Sequence, residues 1–261
     1  MWYIVIRYMA FIRGPNIVRN GLVLYLDAAN RKSYTGSGTV WQDMSGNNYN
    51  FNFSCVGTSC TNPTYSANSI STNFVTSSPY NFSYLNGTNL NNQILQLQYS
   101  NHTLELCFKL NSLSNVYSYN NALTNENGMC IFTWVGYHGG FLLVGNVFYY
   151  YVFNSTISAG SISTSATPYV GQNIIVHLTR SANVLSMYIN GNFITSSDIG
   201  ATASYPYANI RIGCGNNIQP TNNNYTFATN ATYYSIKCYT IAFTQAQVLQ
   251  NYNAVKTRFG L

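Results

Sequence analysis

"HTLELCFKL", residues 102–110, alternates apolar and polar side chains with the period of two that is typical of a β-strand. One face of this strand carries the apolar side chains of Leu104, Leu106, Phe108 and Leu110. The opposite face carries Thr103, Glu105, Cys107 and Lys109. The pattern therefore predicts a half-buried strand, with its leucine face in the core and Glu105 on a solvated face.

The same period of two recurs in both directions along the chain. It is present in residues 173–179 (NIIVHLT), 208–216 (ANIRIGCGN) and 233–243 (YYSIKCYTIAF), and it places His177 on a solvent side. Residues 184–197 predict a hairpin, because Asn190-Gly191 is the pair that a type I′ turn favours. Short strands separated by Gly, Asn and Ser turns indicate a β-sandwich or a β-barrel.

One helix is predicted, at the C-terminal end of the chain. Thr244 followed three residues later by Gln247 is a capping-box pattern. The side chains that follow the cap on one helical face are Val248, Leu249, Tyr252 and Val255. We therefore expect a short helix that packs this face against an otherwise all-β domain.

The composition restricts the partners of the chain. Only 6% of its 261 residues are charged, against about 25% in ordinary proteins. Asn, Ser, Thr, Tyr and Gly supply the polarity instead, and a neutral surface of this kind suits glycan contact or dense protein assembly. A general bias in the amino-acid usage of the source genome would produce the same composition.

The basic residues are not clustered as they are in nucleic-acid-binding proteins. The formal net charge is +6, but residues 33–108 contain no Lys or Arg, whereas nucleic-acid binders carry a basic patch or stripe. The N-terminal residues lack the layout of a signal peptide. No segment approaches 18 uninterrupted apolar residues. We expect neither a nucleic-acid partner nor membrane insertion.

The acidic residues do not form the carboxylate pair that a glycosidase requires. They are Asp27, Asp43, Glu105, Glu126 and Asp198, and no two of them are separated by two or four positions. No G-x-S-x-G nucleophile motif and no phosphate-binding G-x-x-x-x-G-K-[ST] motif occurs. We therefore expect a protein without enzymatic activity and without a catalytic residue.

Asp27 and Asp43 frame a long first loop, residues 27–43. With Asn30 and Asn47 they offer oxygen ligands of the type that Ca²⁺ binds. An Asp at a strand end also commonly accepts backbone N–H bonds from the next turn. We favour loop fastening, with Trp41 holding the loop to the sandwich, and calcium is the alternative. No other cofactor is expected.

Aromatic side chains are the candidate glycan contacts, because sugars stack on flat rings and tyrosine adds a polar group. Residues 147–153 (VFYYYVF) place three tyrosines in succession, so at least one must face away from the core. The predicted glycan-binding residues are Tyr117, Tyr119, His138, Tyr149, Tyr150, Tyr205 and Tyr207. The competing explanation is that tyrosine fills strand positions because its β propensity is high.

Cys55 and Cys60 are the predicted disulfide. They end the segment CVGTSC, which we interpret as the tip of a hairpin, where a short loop brings two Cα atoms to the roughly 4.4–6.8 Å that a disulfide spans. Cys214 and Cys238 each continue the apolar phase of their strands, so we expect neighbouring strands and free, buried thiols, with a disulfide as the alternative. Cys107 and Cys130 are expected to be unpaired.

The pattern of the whole chain resembles a known domain family. The resemblance rests on residues 21–50, on TNPTYSA (61–67), on HTLELCFKLNS (102–112), on the LSMYINGNFI hairpin (185–194) and on the closing segment 239–261. Taken in this order, these segments resemble a laminin-G-like, concanavalin A-like jelly-roll domain. The family motif usually has a tryptophan in the third segment, where this chain has Cys107-Phe108.

The resemblance implies an all-β fold: a two-sheet antiparallel jelly-roll sandwich with one short C-terminal helix. It implies two parts, an N-terminal arm at 1–20 and the jelly-roll domain at 21–261. Such domains recur in virion-surface, tail and fibre proteins of phages and large DNA viruses. The resemblance therefore suggests a location on a virion surface or appendage, with other virion proteins and a cell-surface glycan as partners.

The leading hypothesis is a non-enzymatic structural module of a virion surface or appendage, with weak glycan binding for assembly or host attachment. One alternative is a glycan-active enzyme whose carboxylates come together from distant loops. The other is a purely structural decoration protein without a ligand. The fold itself does not separate them, because jelly-roll sandwiches host all three activities.

Overall fold

The computed structural model describes residues 15–57, 59–66, 68–73, 81–113, 128–134, 139–152, 160–201, 209–214 and 229–261. In chain order, its strands are β1 (Leu22–Asp27), β2 (Val40–Trp41), β3 (Phe51–Val56), β4 (Thr64–Ser66), β5 (Ser69–Thr72), β6 (Phe82–Gly87), β7 (His102–Leu110), β8 (Gly128–Trp134), β9 (Gly139–Val144), β10 (Val147–Val152), β11 (Gly160–Ser165), β12 (Asn173–Ser181), β13 (Val184–Ile189), β14 (Asn192–Asp198), β15 (Ile210–Ile212) and β16 (Ala231–Tyr239).

Helices are few among these residues. A single turn, α1 (Asn92–Leu95), is followed by a 3-10 turn at Leu97–Tyr99. A second 3-10 turn lies at Thr167–Tyr169. The C-terminal helix, α2 (Gln245–Val255), continues into a 3-10 turn at Lys256–Phe259. No helix in the described part of the chain is long and apolar enough to cross a membrane.

The strands of the described residues form two antiparallel sheets of eight strands each. Sheet A has the order β14-β13-β12-β7-β16-β5-β4, and β1 pairs with β16 beside β5. Sheet B has the order β11-β10-β9-β8-β15-β6-β3-β2. The chain is thus an all-β sandwich with one short C-terminal helix, the fold class that the strand periodicity and the resemblance predict.

The core lies between the two sheets and follows the alternation of the strands. In sheet A, Leu104 of β7 pairs with Leu178 of β12, and Leu106 pairs with Val176. These side chains are buried together with large aromatic residues of sheet B, including Trp134 and Phe141. The apolar face that the sequence predicts for β7 is therefore the core face.

Helix α2 lies on the outer face of sheet A. The capping box is present, because the Thr244 side chain accepts the Gln247 N–H and the Gln247 side chain accepts the Thr244 N–H. The buried residues of α2 are Val248 and Asn251, whereas Leu249 is 40% exposed. Val248, Tyr252 and Val255 pack on the sandwich as predicted. The prediction that Leu249 does so is wrong, because Asn251, which bonds Glu105, takes the buried position instead.

Substitutions in α2 test this orientation. We expect Val248→Ala to lower the free energy of unfolding by about 2 kcal/mol, because it empties a buried site. Leu249→Ala should change it by less than about 1 kcal/mol, as for a surface position. Urea denaturation of the two variants measures both values. A larger loss for Leu249→Ala than for Val248→Ala would contradict the observed orientation.

The cysteines occupy both sheets. Cys55 and Cys60 are joined in a disulfide with a Cα–Cα distance of 5.8 Å. Their segment is not a hairpin tip, because β3 belongs to sheet B and β4 to sheet A. Cys214 follows β15 of sheet B and Cys238 lies on β16 of sheet A, so the prediction of neighbouring strands is wrong. Cys107, Cys214 and Cys238 carry free, buried thiols, and Cys130 is buried as well.

Candidate functional site

The outer face of sheet A carries a row of polar side chains that crosses five strands. Strand pairing sets Tyr25 beside Lys237, Lys237 beside Glu105, Glu105 beside His177, and His177 beside Tyr188. Helix α2 and residue Val18 of the N-terminal segment lie over the row, since the Asn251 side chain bonds both Glu105 and the Val18 backbone. The row is therefore enclosed between sheet and helix.

Glu105 is the centre of this buried cluster. Lys237 Nζ donates to Glu105 Oε1 at 2.5 Å, and Asn251 Nδ2 donates to Oε2 at 2.6 Å. His177 Nε2 lies 3.2 Å from the same Oε2. Burial acts to raise the pKa of Glu105, but Lys237 and His177 outweigh it and hold the pKa below its usual range. Glu105 is therefore an ionised, fully paired group.

The sequence-based placement of these polar residues is wrong. Glu105 and His177 were expected on solvated strand faces and Cys107 on a polar face, yet all three are completely buried. The strand alternation correctly separates them from the leucine face. The alternation does not show what packs on the polar face of a strand. In the structure, α2 and Phe259 pack over that face.

Asp43 fastens the first loop. Its Oδ1 accepts the N–H groups of Tyr25 at 2.9 Å and Ser45 at 2.8 Å. Its Oδ2 accepts the Ser45 hydroxyl at 2.7 Å and the Tyr49 N–H at 3.2 Å. Trp41 of the same loop is completely buried. Asp43 thus ties the loop to β1 and to the start of β3.

Asp27 fastens the C-terminal end of the chain. Arg258 binds both of its carboxylate oxygens, Ala29 N–H donates to Oδ1 at 3.1 Å, and the Tyr25 hydroxyl donates to Oδ2 at 3.2 Å. Burial acts to raise the pKa of Asp27, but the Arg258 guanidinium outweighs it and lowers the pKa. Each oxygen of both aspartates already accepts protein hydrogen bonds, which supports loop fastening over calcium.

Metal-ligating groups are not clustered in the described ranges. There, no three His, Cys, Asp or Glu side chains are close enough to hold a metal ion. Asp198, the remaining described acid, is exposed at the end of β14 and accepts the Gly200 N–H at 2.8 Å. Glu126 lies outside the described residues.

The predicted glycan contacts divide into two groups. Tyr149 and Tyr150 lie on β10, whereas Tyr117, Tyr119, His138, Tyr205 and Tyr207 lie outside the described residues. Tyr150 is completely buried, and its hydroxyl bonds Nε2 of His102. The prediction that Tyr150 contacts a ligand is wrong, since the alternation of β10 sends it inward with Phe148 and Val152.

The outward positions of β10 are Val147, Tyr149 and Tyr151, all half-buried. Tyr149 lies between Leu142 of β9 and Ser163 of β11, and Tyr151 lies between Gly140 and Ser161. We call these six residues the tyrosine platform. The two rings are two positions apart on one strand, roughly 6–7 Å. The cross-strand neighbours of Tyr151, Gly140 and Ser161, are both small.

The tyrosine platform is electrically neutral. In the described strands of sheet B, Arg211 is the only charged residue. Its guanidinium lies 5.5 Å from the centre of the Tyr84 ring, on strands away from the platform. Neutral rings flanked by hydroxyl groups suit a neutral, hydroxyl-rich ligand better than a charged one. Tyr151 is not among the sequence-predicted contacts, although three successive tyrosines in a strand require that at least one of them faces outward.

The fold is a β-sandwich of the jelly-roll kind, with two half-buried tyrosines on the outer face of sheet B. No family model matches the chain, and no curated protein is significantly similar to it. The similarity to known proteins lies in the fold.

Several solved structures share this fold. The binding domain of botulinum neurotoxin serotype D superposes with a TM-score of 0.61 at 14% identity, over 90% of this chain and 52% of that one. The binding domain of botulinum neurotoxin DC, in complex with rat synaptotagmin II, gives 0.62 at 14%, over 91% and 52%. The receptor binding domain of the C/D mosaic serotype gives 0.61 at 14%, over 90% and 51%. The chain spans about half the length of these structures.

Proposed function

We propose that the chain is a non-enzymatic binding module of a virion surface or appendage, which contacts a neutral glycan through the tyrosine platform. The observation that carries this function is the pair of half-buried tyrosines, Tyr149 and Tyr151, on a sheet whose one charged residue in the described strands, Arg211, lies on a strand away from them. Two rings on one strand allow stacking on a sugar chain without a deep pocket, so the expected binding is weak.

The arrangement of the acidic residues supports a role without catalysis. A glycosidase needs two carboxyl groups about 5–10 Å apart with access to substrate. Asp27, Asp43 and Glu105 are each engaged by several protein donors, and Glu105 is completely buried. Asp198 is exposed on a different strand from the platform. These carboxylates hold the fold together.

The surface location is supported by two observations. The chain resembles virion-surface and fibre domains in the order of its segments, and its surface depends on neutral polar groups, as in dense assemblies. The structural neighbours are binding domains, one of them in complex with rat synaptotagmin II. A cell-surface glycan or receptor and other virion proteins are therefore the proposed partners.

A glycan array followed by titration calorimetry tests the binding function. We expect Tyr151→Ala and Tyr149→Ala each to weaken binding about fivefold or more, which corresponds to roughly 1 kcal/mol. Phe193→Ala is the matched control, because Phe193 is an aromatic residue with 53% exposure on sheet A. It should leave affinity unchanged. An array without any signal would favour the purely structural alternative.

Two further measurements separate the remaining alternatives. A reducing-sugar assay on the bound glycan should show no release, and release of sugar would favour the glycan-active enzyme. Antibody labelling of intact particles should place the chain on their surface or appendages. Particles that label only after disruption would contradict the proposed location.

A further inference from the structure

A lysine, a glutamate and an asparagine meet in the buried cluster beneath α2. Lys237 Nζ lies 2.5 Å from Glu105 Oε1, and Asn251 Nδ2 lies 2.6 Å from Glu105 Oε2. The two nitrogens are thus held on the two oxygens of one carboxylate. Lys237 is 1% exposed, and Glu105 and Asn251 are completely buried. An amine, an amide and an acid–base group therefore share one interior site away from solvent.

The orientation of the Asn251 amide is fixed by its partners. The Val18 backbone N–H can only donate, so the atom that it meets at 2.7 Å is the carbonyl oxygen Oδ1. An ionised Glu105 carboxylate can only accept, so it meets the NH2 group. The Tyr239 hydroxyl accepts a second hydrogen bond from Nδ2 at 2.9 Å. The amide of Asn251 therefore has a donor on its oxygen and two acceptors on its nitrogen.

These contacts meet the requirements of amide exchange. An amine attacks a carbonyl carbon only in its neutral form, so it needs a neighbouring base. A backbone N–H on the carbonyl oxygen stabilises the oxyanion that forms. The amide nitrogen must gain a proton before it leaves. Glu105 can take a proton from Lys237 and supply one to Asn251 Nδ2, because it bonds both groups.

We propose that Lys237 and Asn251 join in an intramolecular isopeptide bond, with Glu105 as the catalytic acid and base. Lys237 Nζ forms a bond to Asn251 Cγ, the Cγ–Nδ2 bond breaks, and Nδ2 leaves as ammonia. Of the three hydrogens on Nζ, one stays in the new amide, one leaves with the ammonia and one remains on the Glu105 carboxyl group. Charge therefore balances without another reactant, and no buried charge is left unpaired.

The ion pair between Lys237 and Glu105 precedes the reaction. Burial acts to lower the pKa of Lys237 and to raise the pKa of Glu105, but the attraction between the two groups, aided at Glu105 by His177, outweighs it. A proton must therefore move from Nζ to Glu105 before attack. Nζ must also turn toward Asn251 Cγ, to the roughly 3–3.5 Å of a near-attack arrangement. The flexible four-carbon stem of lysine allows this movement, so we expect a slow reaction that follows folding.

The bond fastens the C-terminal helix to sheet A. Lys237 lies on β16 and Asn251 lies on α2, so a covalent link between them keeps the helix on the sheet even when its other contacts open. The step happens once in each chain and has no turnover, so it does not make the protein an enzyme. Lys237 holds β16 to α2 both as an ion pair and as an amide, and its loss is destabilising in either state.

Intact-mass spectrometry of the reduced full chain, followed by trypsin digestion, tests the bond. We expect the native chain to be lighter than its sequence by one ammonia. Trypsin cleaves only after a lysine or arginine whose side chain is free. The reacted chain should therefore give residues 212–256 as one peptide, whereas the unreacted chain gives 212–237 and 238–256. Full sequence mass after prolonged incubation at neutral pH would overturn the proposal, and so would loss of water, which would place the amide on Glu105.

Two lysine variants show whether Lys237 is the nucleophile. Lys237→Arg keeps a buried cation beside Glu105 but has no amine, so it should retain its full sequence mass. Lys109→Arg is the matched control, because Lys109 lies on the same face of β7 as Glu105 and is partly buried. It should lose ammonia as the native chain does. Ammonia loss that persists in Lys237→Arg would come from another amide and would overturn the proposal. The native digest decides the question even if Lys237→Arg does not fold.

Discussion

Lys237→Ala is expected to lower the free energy of unfolding by about 3–5 kcal/mol, because it leaves a buried charge without its partner. Lys237 is 1% exposed, and its ammonium donates to Glu105 Oε1 at 2.5 Å. It also lies 5.0 Å from the centre of the Tyr25 ring. Removal of the ammonium leaves the Glu105 carboxylate with Asn251 and His177 inside an interior that water does not reach. Chemical denaturation with circular dichroism measures the loss.

The control for this substitution is Lys256→Ala. Lys256 follows helix α2 and lies over the Tyr252 ring at 5.2 Å, at a partly exposed position. Its loss should change stability by less than about 1 kcal/mol. A double variant, Glu105→Gln with Lys237→Met, should recover much of the stability lost in Lys237→Ala, because no buried charge is left unpaired. Equal effects for Lys237→Ala and Lys256→Ala would contradict the buried ion pair.

His102 is expected to make the fold sensitive to mild acid. The ring is completely buried, its Nδ1 lies 2.9 Å from the Ser100 carbonyl, and its Nε2 bonds the Tyr150 hydroxyl. Burial lowers the pKa of His102 to about 4, and the hydrogen bond to the Ser100 carbonyl opposes this only in part. The unfolded chain has an ordinary histidine pKa near 6.5.

The direction of the pH effect follows from these two values. The unfolded state binds a proton more readily than the folded state, so the contribution of His102 is present above about pH 6.5. It is lost as the pH falls toward 4, by about 3 kcal/mol in total. Glu105 and Asp27 act in a lower window: their pKa values are lowered in the folded state, so their contributions are lost only as the pH falls below the ordinary carboxyl range.

Denaturant midpoints between pH 7 and pH 4 measure the His102 effect. His102→Gln cannot titrate, so its stability should be nearly independent of pH above about pH 5, although it starts from a lower value. NMR titration of the ring measures the pKa directly. An unfolding free energy that is constant from pH 7 to pH 4.5 in the native chain, or a measured pKa above 6, would contradict this prediction.

Some features of the fold follow from local physics alone. The alternation in residues 102–110 predicts a strand with a leucine face, and that face is the core face. Asn190-Gly191 predicts the β13–β14 hairpin, and both residues have positive φ angles. Thr244 and Gln247 predict the start of α2, and the capping box is present. Each signal lies within a few residues, where geometry and hydrogen bonding depend only on neighbours in the chain.

The candidate site depended on longer-range contacts. The sequence indicated that at least one tyrosine of 149–151 faces outward. It did not indicate whether the odd-numbered or the even-numbered ones do, because that depends on the pairing of β10 with β9 and β11. It also did not predict that Glu105, His177 and Lys237 lie side by side. These residues are separated by up to 132 positions, and nothing in a single sequence specifies the register between strands so far apart.

The sequence by itself determined the alternation of the strands, the turns, the start of the helix and the neutral composition, since each is encoded in short stretches of chain. Only the tertiary structure decided whether a polar strand face meets water or another element. Alternation states which residues share a face, but the environment of that face depends on what packs over it. Here α2 covers the face that holds Glu105 and leaves Leu249 exposed, whereas Tyr149 and Tyr151 on the outer face of sheet B are half-buried.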